Sequence, residues 1–192
     1  MVMPSPLLPD LERRDWTVEE LRALPDDGRR YEVIDGELFV TPSPSWMHQR
    51  AVVELLTHVR PYAIACSLEC LVAPAEVTFS PRRSVEPDLL VVPTIDGRGA
   101  ERFEEVGRLV LAVEVISPST ARVDRHRKRR LYQSEAVPEY WIVDPAARFV
   151  ERWRPGDEEP EILVESLVWQ PDAEREPLVI DVAAYFRSVH WE

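Results

Sequence analysis

The sequence predicts a fold of class α+β (α/β), a mixed β-sheet with helices packed on it. Three features point there. Helical and strand patterns follow one another in the order helix, hairpin, helix, several strands, helix, strands, which suits a sheet carrying helices on its faces. The Asp35-Gly36 dipeptide favours a tight turn between two antiparallel strands. Leu109 to Ile116 is a nearly unbroken apolar run, the mark of a strand covered on both faces. At 192 residues the chain can bury one substantial core and not two large ones. We therefore expect a flexible tail over 1–16 and a single domain over 17–192.

The elements follow in order. Met1 to Arg14 is rich in proline and polar residues and reads as a loose tail. Thr17-Val18-Glu19-Glu20 is a capping-box pattern opening a short helix, which Pro25 and the Asp27-Gly28 turn stop after Leu24. Tyr31 to Val40 alternates apolar and polar residues around Asp35-Gly36, giving two short strands. From Ser45 to about Ala65, Ala51, Val52, Leu55, Leu56 and Val59 recur at the spacing of one helix face; Pro61 predicts an end or a kink there. Leu68 to Phe79 and Glu86 to Val92 read as an antiparallel pair of strands, separated by the turn-like Ser80-Pro81-Arg82-Arg83. Pro93 to Gly107 holds three of the six glycines and is expected to be a mobile loop. After the Leu109–Ile116 strand, Ser117-Pro118-Ser119-Thr120 supplies an N-cap for a helix to about Ser134. Strands near Glu139–Val143 and Phe149–Arg154, an acidic turn around Gly156–Glu161, a strand near Ile162–Leu167 and a closing helix from Asp181 complete the chain.

Composition narrows the function. A 45% apolar share beside 30% charged residues is that of a globular chain in water, and no apolar run reaches the roughly 20 residues that span a bilayer. Met1 to Asp10 has neither a basic leader nor a long apolar stretch, so a cytoplasmic protein without a membrane partner is expected. Cys66 and Cys70 lack the second ligand pair of a structural zinc site and read as reduced. A net charge of −12 argues against coating nucleic acid through bulk electrostatics. Positive charge is concentrated, however: Arg122, Arg125, Arg127, Lys128, Arg129 and Arg130 face Asp124 alone. That stretch is either a local anion-binding patch or a solvated helix face.

Three residues carry the chemistry. Glu114 interrupts the apolar run, and a carboxylate taken out of water costs several kcal/mol unless a cation or a metal meets it. Asp88 poses the same problem at the start of Pro87-Asp88-Leu89-Leu90-Val91-Val92. Two carboxylates on adjacent strand ends form a hard-oxygen site suited to Mg²⁺; alternatively each pairs with an arginine at the sheet rim. Lys128 is the one lysine among 23 basic residues. Its compact ammonium does what a planar, permanently charged guanidinium cannot. Asp124, Lys128 and Tyr132 are spaced by four and share a helix face, so a helix folding back from the Glu114 strand can return Lys128 towards the carboxylates. The competing explanation is a surface pair of Asp124 with Lys128, worth roughly 0.3 kcal/mol.

A series of motifs then occurs in order: Tyr31-Glu32-Val33-Ile34-Asp35-Gly36-Glu37-Leu38, Ser43-Pro44 with His48, Glu86-Pro87-Asp88, Glu114-Val115-Ile116-Ser117-Pro118-Ser119-Thr120, Asp124, Lys128, Tyr132, and Val137-Pro138-Glu139-Tyr140-Trp141-Ile142-Val143-Asp144. Together they resemble the Uma-two family of restriction-endonuclease-like proteins, of the PD-(D/E)XK nuclease fold, over roughly Thr17 to Phe186. The resemblance implies a restriction-endonuclease-like mixed β-sheet core flanked by helices. It also implies a Mg²⁺-dependent DNA endonuclease, with Mn²⁺ as a substitute, whose catalytic residues are Asp88, Glu114, Lys128 and Glu32. Asp88, Glu114 and the main-chain carbonyl of Val115 would hold the metal.

The parent pattern's lysine, two residues after the acidic one, has moved: Ile116 stands there, and Lys128 replaces it from the next helix. Ala136 stands where the family usually has glycine, so a differently shaped turn is expected. Glu32 either reaches across the sheet as a further ligand or is a plain exposed strand residue. His48 either contacts a phosphate or bonds the helix end. Arg125, Arg127 and Arg129 are expected to grip flanking phosphates. Lys128 would position or deprotonate the attacking water, or offset the developing charge. A homodimer is expected, since double-strand cutting needs two sites; Trp153, Trp169 and Trp191 mark either its interface or the core. The alternatives are a catalytically silent nuclease-fold binding module and a phosphohydrolase for a small nucleotide.

Overall fold

The computed structural model describes residues 9–192. In chain order these form α1 (Val18–Arg22), β1 (Arg30–Ile34), β2 (Glu37–Thr41), α2 (Trp46–Ala65), β3 (Leu68–Val72), β4 (Val77–Ser80), β5 (Arg83–Val85), β6 (Leu89–Pro93), α3 (Phe103–Val106), β7 (Leu111–Val115), α4 (Ala121–Val123), α5 (Arg129–Ser134), β8 (Glu139–Asp144), β9 (Phe149–Trp153), β10 (Glu161–Leu163), β11 (Ser166–Trp169), β12 (Leu178–Asp181) and α6 (Val182–His190). A π turn at Asp124–Lys128 joins α4 to α5. No described helix is long and apolar enough to cross a membrane.

Six strands in the order β10-β9-β8-β7-β6-β3 make the central sheet; β7 and β8 run parallel and the other neighbours antiparallel. Side chains alternate across a strand, so the apolar runs of β6, β7 and β8 serve two cores. Leu89, Val91, Leu111, Val113, Val115, Trp141 and Val143 pack with residues of α2 and α6 on one face. Leu90, Ala112, Tyr140 and Ile142 pack on the other with Leu131 and Tyr132 of α5 and with Val77 and Val85. That second face is covered by a smaller sheet, β2-β1-β5-β4. Its β1–β2 hairpin turns at Asp35-Gly36, where φ is +81° at Gly36 and a Cβ would strike the Arg82 guanidinium, so glycine is required. The capping box of Thr17 with Glu20 and the Asp181 cap of α6 form as the sequence predicts.

Several elements differ from expectation. Residues 1–8 of the expected tail lie outside the described residues, and its end is tied down. Trp16 is buried with Val33 and Leu38, and its backbone N–H donates to the Gly36 carbonyl at 3.0 Å. The α2 helix runs through Pro61 to Ala65. Both Pro61 and Thr57, whose carbonyl loses its partner, are exposed, so water can serve that oxygen. Leu68–Phe79 is two strands in two different sheets, and β6 pairs with β3 alone of the two. Pro93–Gly107 contains α3, anchored by buried Phe103 and ended by Gly107 at φ +64°. Thr120 does not cap its helix: its hydroxyl accepts the Ser117 N–H at 3.1 Å instead. Ile162–Leu167 divides between β10 and β11, and β11 pairs with the unforeseen β12. Trp153 and Trp169 are buried in the cores, whereas Trp191 is 82% exposed.

Ala136 does not reshape its turn. It sits at φ +52°, its N–H bonding to the Gln133 carbonyl and the next N–H, of Val137, to the Tyr132 carbonyl. This is the glycine-type helix ending, held by a residue whose Cβ disfavours it. Ala136→Gly should therefore raise stability by about 1 kcal/mol, read as a higher urea midpoint at an unchanged slope; a lower midpoint would show that the turn carries no such strain.

Candidate active site

Glu114 is the fourth residue of β7, a strand buried from end to end between β6 and β8. Alternation turns its side chain to the face covered by the helix over residues 121–134. Val113 pairs with Leu89 of β6, so Asp88 lies one step beyond, level with Glu114 at the strand end. Antiparallel pairing thus sets the two acids of the sequence pattern side by side, both nearly fully buried.

Lys128 comes back over them from the helix. Its Nζ lies 2.8 Å from Glu114 Oε1, 2.9 Å from Glu32 Oε1 and 3.7 Å from Asp124 Oδ1. The π turn contributes to this aim: Arg129 N–H bonds to the Asp124 carbonyl five residues back, and Tyr140 OH donates to that same carbonyl at 3.2 Å. Asp124, Lys128 and Tyr132 all face inward. Tyr132 OH donates to Glu114 Oε1 at 3.2 Å, and the Glu86 N–H donates to Glu32 Oε1 at 2.7 Å. Asp124 is therefore part of a buried cluster and not half of a surface pair.

Asp88 has its own set of donors. His48 Nε2 lies 2.9 Å from Oδ2, which also accepts the Val115 N–H at 2.9 Å; Arg30 lies 3.3 Å from Oδ1. His48 reaches it from the first turn of α2, where Ser45 caps the helix by accepting the His48 N–H. Asp88, Glu114, Val115, Lys128, His48 and Arg30 line one cavity of about 210 Å³.

Electrostatics divides these groups. Burial pushes the Asp88 carboxyl up, yet the His48 hydrogen bond and charge, the Val115 N–H and Lys128 outweigh it and hold the pKa below the usual range. Burial raises Glu114 well above its usual value despite Lys128, because Asp124, Asp88 and Glu32 crowd it. Asp124 is pushed up to about 6, first by burial. Burial lowers Lys128, but Glu114, Glu32 and Asp124 more than reverse this and hold it as a firm ammonium. Four buried carboxylates thus face one ammonium and one guanidinium.

The expected residues do not all meet. Glu32 is neither exposed nor on the cavity wall: it stands behind Lys128 as its second partner. Held as an ammonium by the surrounding carboxylates, Lys128 suits the expected role of offsetting developing charge. Arg125, Arg127 and Arg129 do not line the cavity. Arg125 is bound by Glu151 and Asp144 at 2.6 and 3.1 Å, Arg127 by Glu37 at 3.0 Å, and Arg129 lies over the Trp153 ring at 4.7 Å. Acidic residues of neighbouring strands capture the first two, and an aromatic ring the third. Arg30 was not foreseen, although it sits two residues before Glu32 on the same strand face.

Among the described residues, no three His, Cys, Asp or Glu side chains gather as a metal cluster. The donor set nonetheless fits Mg²⁺, which takes one or two carboxylates and completes its shell with water or phosphate oxygens. Excess carboxylate charge at the cavity is what a divalent cation relieves.

The family model described as "Putative restriction endonuclease", Uma2, matches residues 18–182. The chain belongs to this family. No curated protein matches it. Among solved structures, one described as a "putative nuclease belonging to DUF820" from Anabaena variabilis is similar over 91% of this chain and 99% of that one, with a TM-score of 0.74 at 19% identity. At that identity the likeness is one of fold, and it bears out the mixed α+β architecture.

The buried acids make stability depend on pH. Asp124, with a folded pKa of about 6 against the usual 3.8, keeps a proton that the unfolded chain releases between those values. It therefore removes stability as pH rises from about 4 to 6. Asp88, whose pKa is lowered, adds stability above the usual carboxylate range and loses it as pH falls through the folded value. Asp124→Asn should abolish a loss on the order of 2 kcal/mol between about pH 4 and 6. Urea titrations across that interval check this, and an unchanged pH slope in the variant would contradict it.

Proposed function

We propose that the protein is a metal-dependent endodeoxyribonuclease that uses Mg²⁺, or Mn²⁺ in its place. The observation that carries this reading is the opening of Asp88, just before β6, Glu114 of β7 and Lys128 of the π turn into one cavity. Membership of the Uma2 family supports it. Asp88 and Glu114 would hold the metal, with the main-chain carbonyl of Val115 beside them. When bound, the metal would polarise the scissile phosphate and acidify a water.

The chain's own groups do the rest. His48 and the Val115 N–H fix the Asp88 carboxylate and keep it ionised at neutral pH. Lys128, clamped by Glu32 and Glu114, presents a preorganised positive charge to a phosphate that gains negative charge as it reacts. Tyr132 holds Glu114 in place.

One observation favours a second reading, a nuclease-fold module that binds without cutting: both Asp88 oxygens already have protein donors, and Arg125 and Arg127 are neutralised by acids. Plasmid nicking separates the two. With Mg²⁺ or Mn²⁺ the wild type should convert supercoiled to open-circular DNA, and chelator should stop it. Asp88→Asn, nearly isosteric, and Lys128→Arg should each lower the rate at least about 100-fold while far-UV circular dichroism stays native. Binding without metal-dependent nicking favours the module, and full activity in either variant removes that residue from the mechanism.

A further inference from the structure

Two indoles stand in solvent beside this site. Trp46 opens α2 and is 86% exposed, and Trp191, just past α6, is 82% exposed. Together they flank a groove of about 560 Å³. Large exposed aromatic rings sharing one hollow mark a place that binds something. The groove also holds Arg50, whose guanidinium lies 5.9 Å from the Trp191 ring centre. Arg50 makes no ion pair among the described residues, and its Nε is buried without a hydrogen-bond partner. An unpaired guanidinium on a groove wall is a charge that an anionic ligand can meet. Glu54 is the one acid on the wall.

The groove runs on towards the catalytic cavity. It shares Pro44, Gln49 and Val53 with a second hollow of about 330 Å³, which shares Arg30, His48 and Asp88 with the cavity. Arg30 repeats the pattern of Arg50 in part: its Nε is also buried and unpartnered, while its Nη1 is held by Asp88 at 3.3 Å. The trench therefore carries two guanidinium groups, Arg50 without an ion pair and Arg30 paired with Asp88, and, at its far end, two stacking surfaces. That is the chemistry of a single-stranded nucleotide track: flat apolar faces for bases and donors for phosphates, with no base-specific reader needed.

We infer that this trench holds an unpaired segment of the nucleic acid, with bases on Trp46 and Trp191 and phosphates at Arg50 and Arg30, so that the enzyme acts on DNA with single-stranded character. This rests on the nuclease reading and specifies its substrate class. A flat protein surface or a second copy of the chain would cover the indoles but would not extend along the trench to the catalytic cavity.

The test uses the full chain with chelator present, so that binding is read without cutting. Fluorescence anisotropy compares a labelled 20-nucleotide oligo-dT with a 20-base-pair duplex. The wild type should bind the single strand more tightly. Trp46→Ala with Trp191→Ala should weaken that binding at least about tenfold and leave duplex affinity within twofold, while Trp46→Phe with Trp191→Phe keeps a stacking face and retains most of the affinity. Arg50→Gln should weaken binding and lower its salt dependence. Equal loss on both substrates, or no loss, overturns the inference. So does a wild-type dimer in sedimentation that the alanine pair converts to monomer without changing oligonucleotide binding. Because no turnover is involved, a failure of plasmid nicking counts against the nuclease reading and leaves this result standing on its own.

Discussion

The centre of the molecule is organised by an imbalance of charge in a place water does not reach. Glu32, Asp88, Glu114 and Asp124 are all buried, and each carboxylate in a low-dielectric interior must find a cation, a donor or a proton. Lys128 answers for three of them at once. A guanidinium has a planar fork that suits two-point contact with one carboxylate. A small ammonium with three donors can instead sit between acids arriving from different elements. That geometry accounts for the one lysine in a chain whose other basic side chains are all arginine. It also sets demands on the fold. β1 must deliver Glu32 from the smaller sheet, β7 must deliver Glu114 from the larger, and the π turn must keep Asp124 and Lys128 both inward.

The sheet acts as the positioning device. Parallel pairing of β7 with β8 fixes Glu114 opposite Ile142, and antiparallel pairing with β6 fixes Asp88 beside it. A shift of one residue in either pairing would turn Glu114 to the opposite core, against α2, where no cation awaits it. Register and charge therefore reinforce one another: the apolar alternation of β6, β7 and β8 is right in the same arrangement that pairs Lys128. The hydroxyls of Tyr132 and Tyr140 close the remaining bonds, to Glu114 and to the Asp124 carbonyl. Both tyrosines keep their protons, since burial first and then the neighbouring carboxylates raise their pKa values.

Much of this was legible in the sequence. Glu114 inside an apolar run and a lone lysine on an inward helix face are physical anomalies, and each names the kind of partner the other supplies. Hairpin, capping box and the closing helix were local in origin and were correctly read. What escaped was whatever depends on partners distant in the chain. Arg125, Arg127 and Arg129 formed a basic cluster in the sequence, but Glu151, Asp144, Glu37 and Trp153 arrive in space and claim them. Arg30 looked like any strand-end arginine until Asp88 was placed beside it. Leu68–Phe79 feeds two sheets, and Pro74, which cannot donate to a ladder, was the local signal that the run divides between Val72 and Val77. Thr57 and Pro61 could share a helix because both face solvent, which periodicity around Pro61 alone does not reveal.

The overall charge of −12 stands in apparent conflict with the polyanionic substrate proposed above, and the placement of arginine bears on it. Arginines on the outer strands, such as Arg152 and Arg154, pair with Glu161 and add nothing to long-range attraction. Among the described residues Arg50 is the trench arginine without an ion pair, and exposed Arg60, Arg98, Arg108, Arg122, Arg130 and Arg187 stand outside the trench and cavity. On the proposed reading few phosphates would meet a trench cation, so affinity for DNA should fall only gently with salt compared with proteins that neutralise many phosphates. Recognition must then come from the shape of the trench and from stacking, which salt screens little. On the same reading the buried cluster, itself rich in carboxylates, would meet negative charge on the substrate only through the divalent cation it would hold.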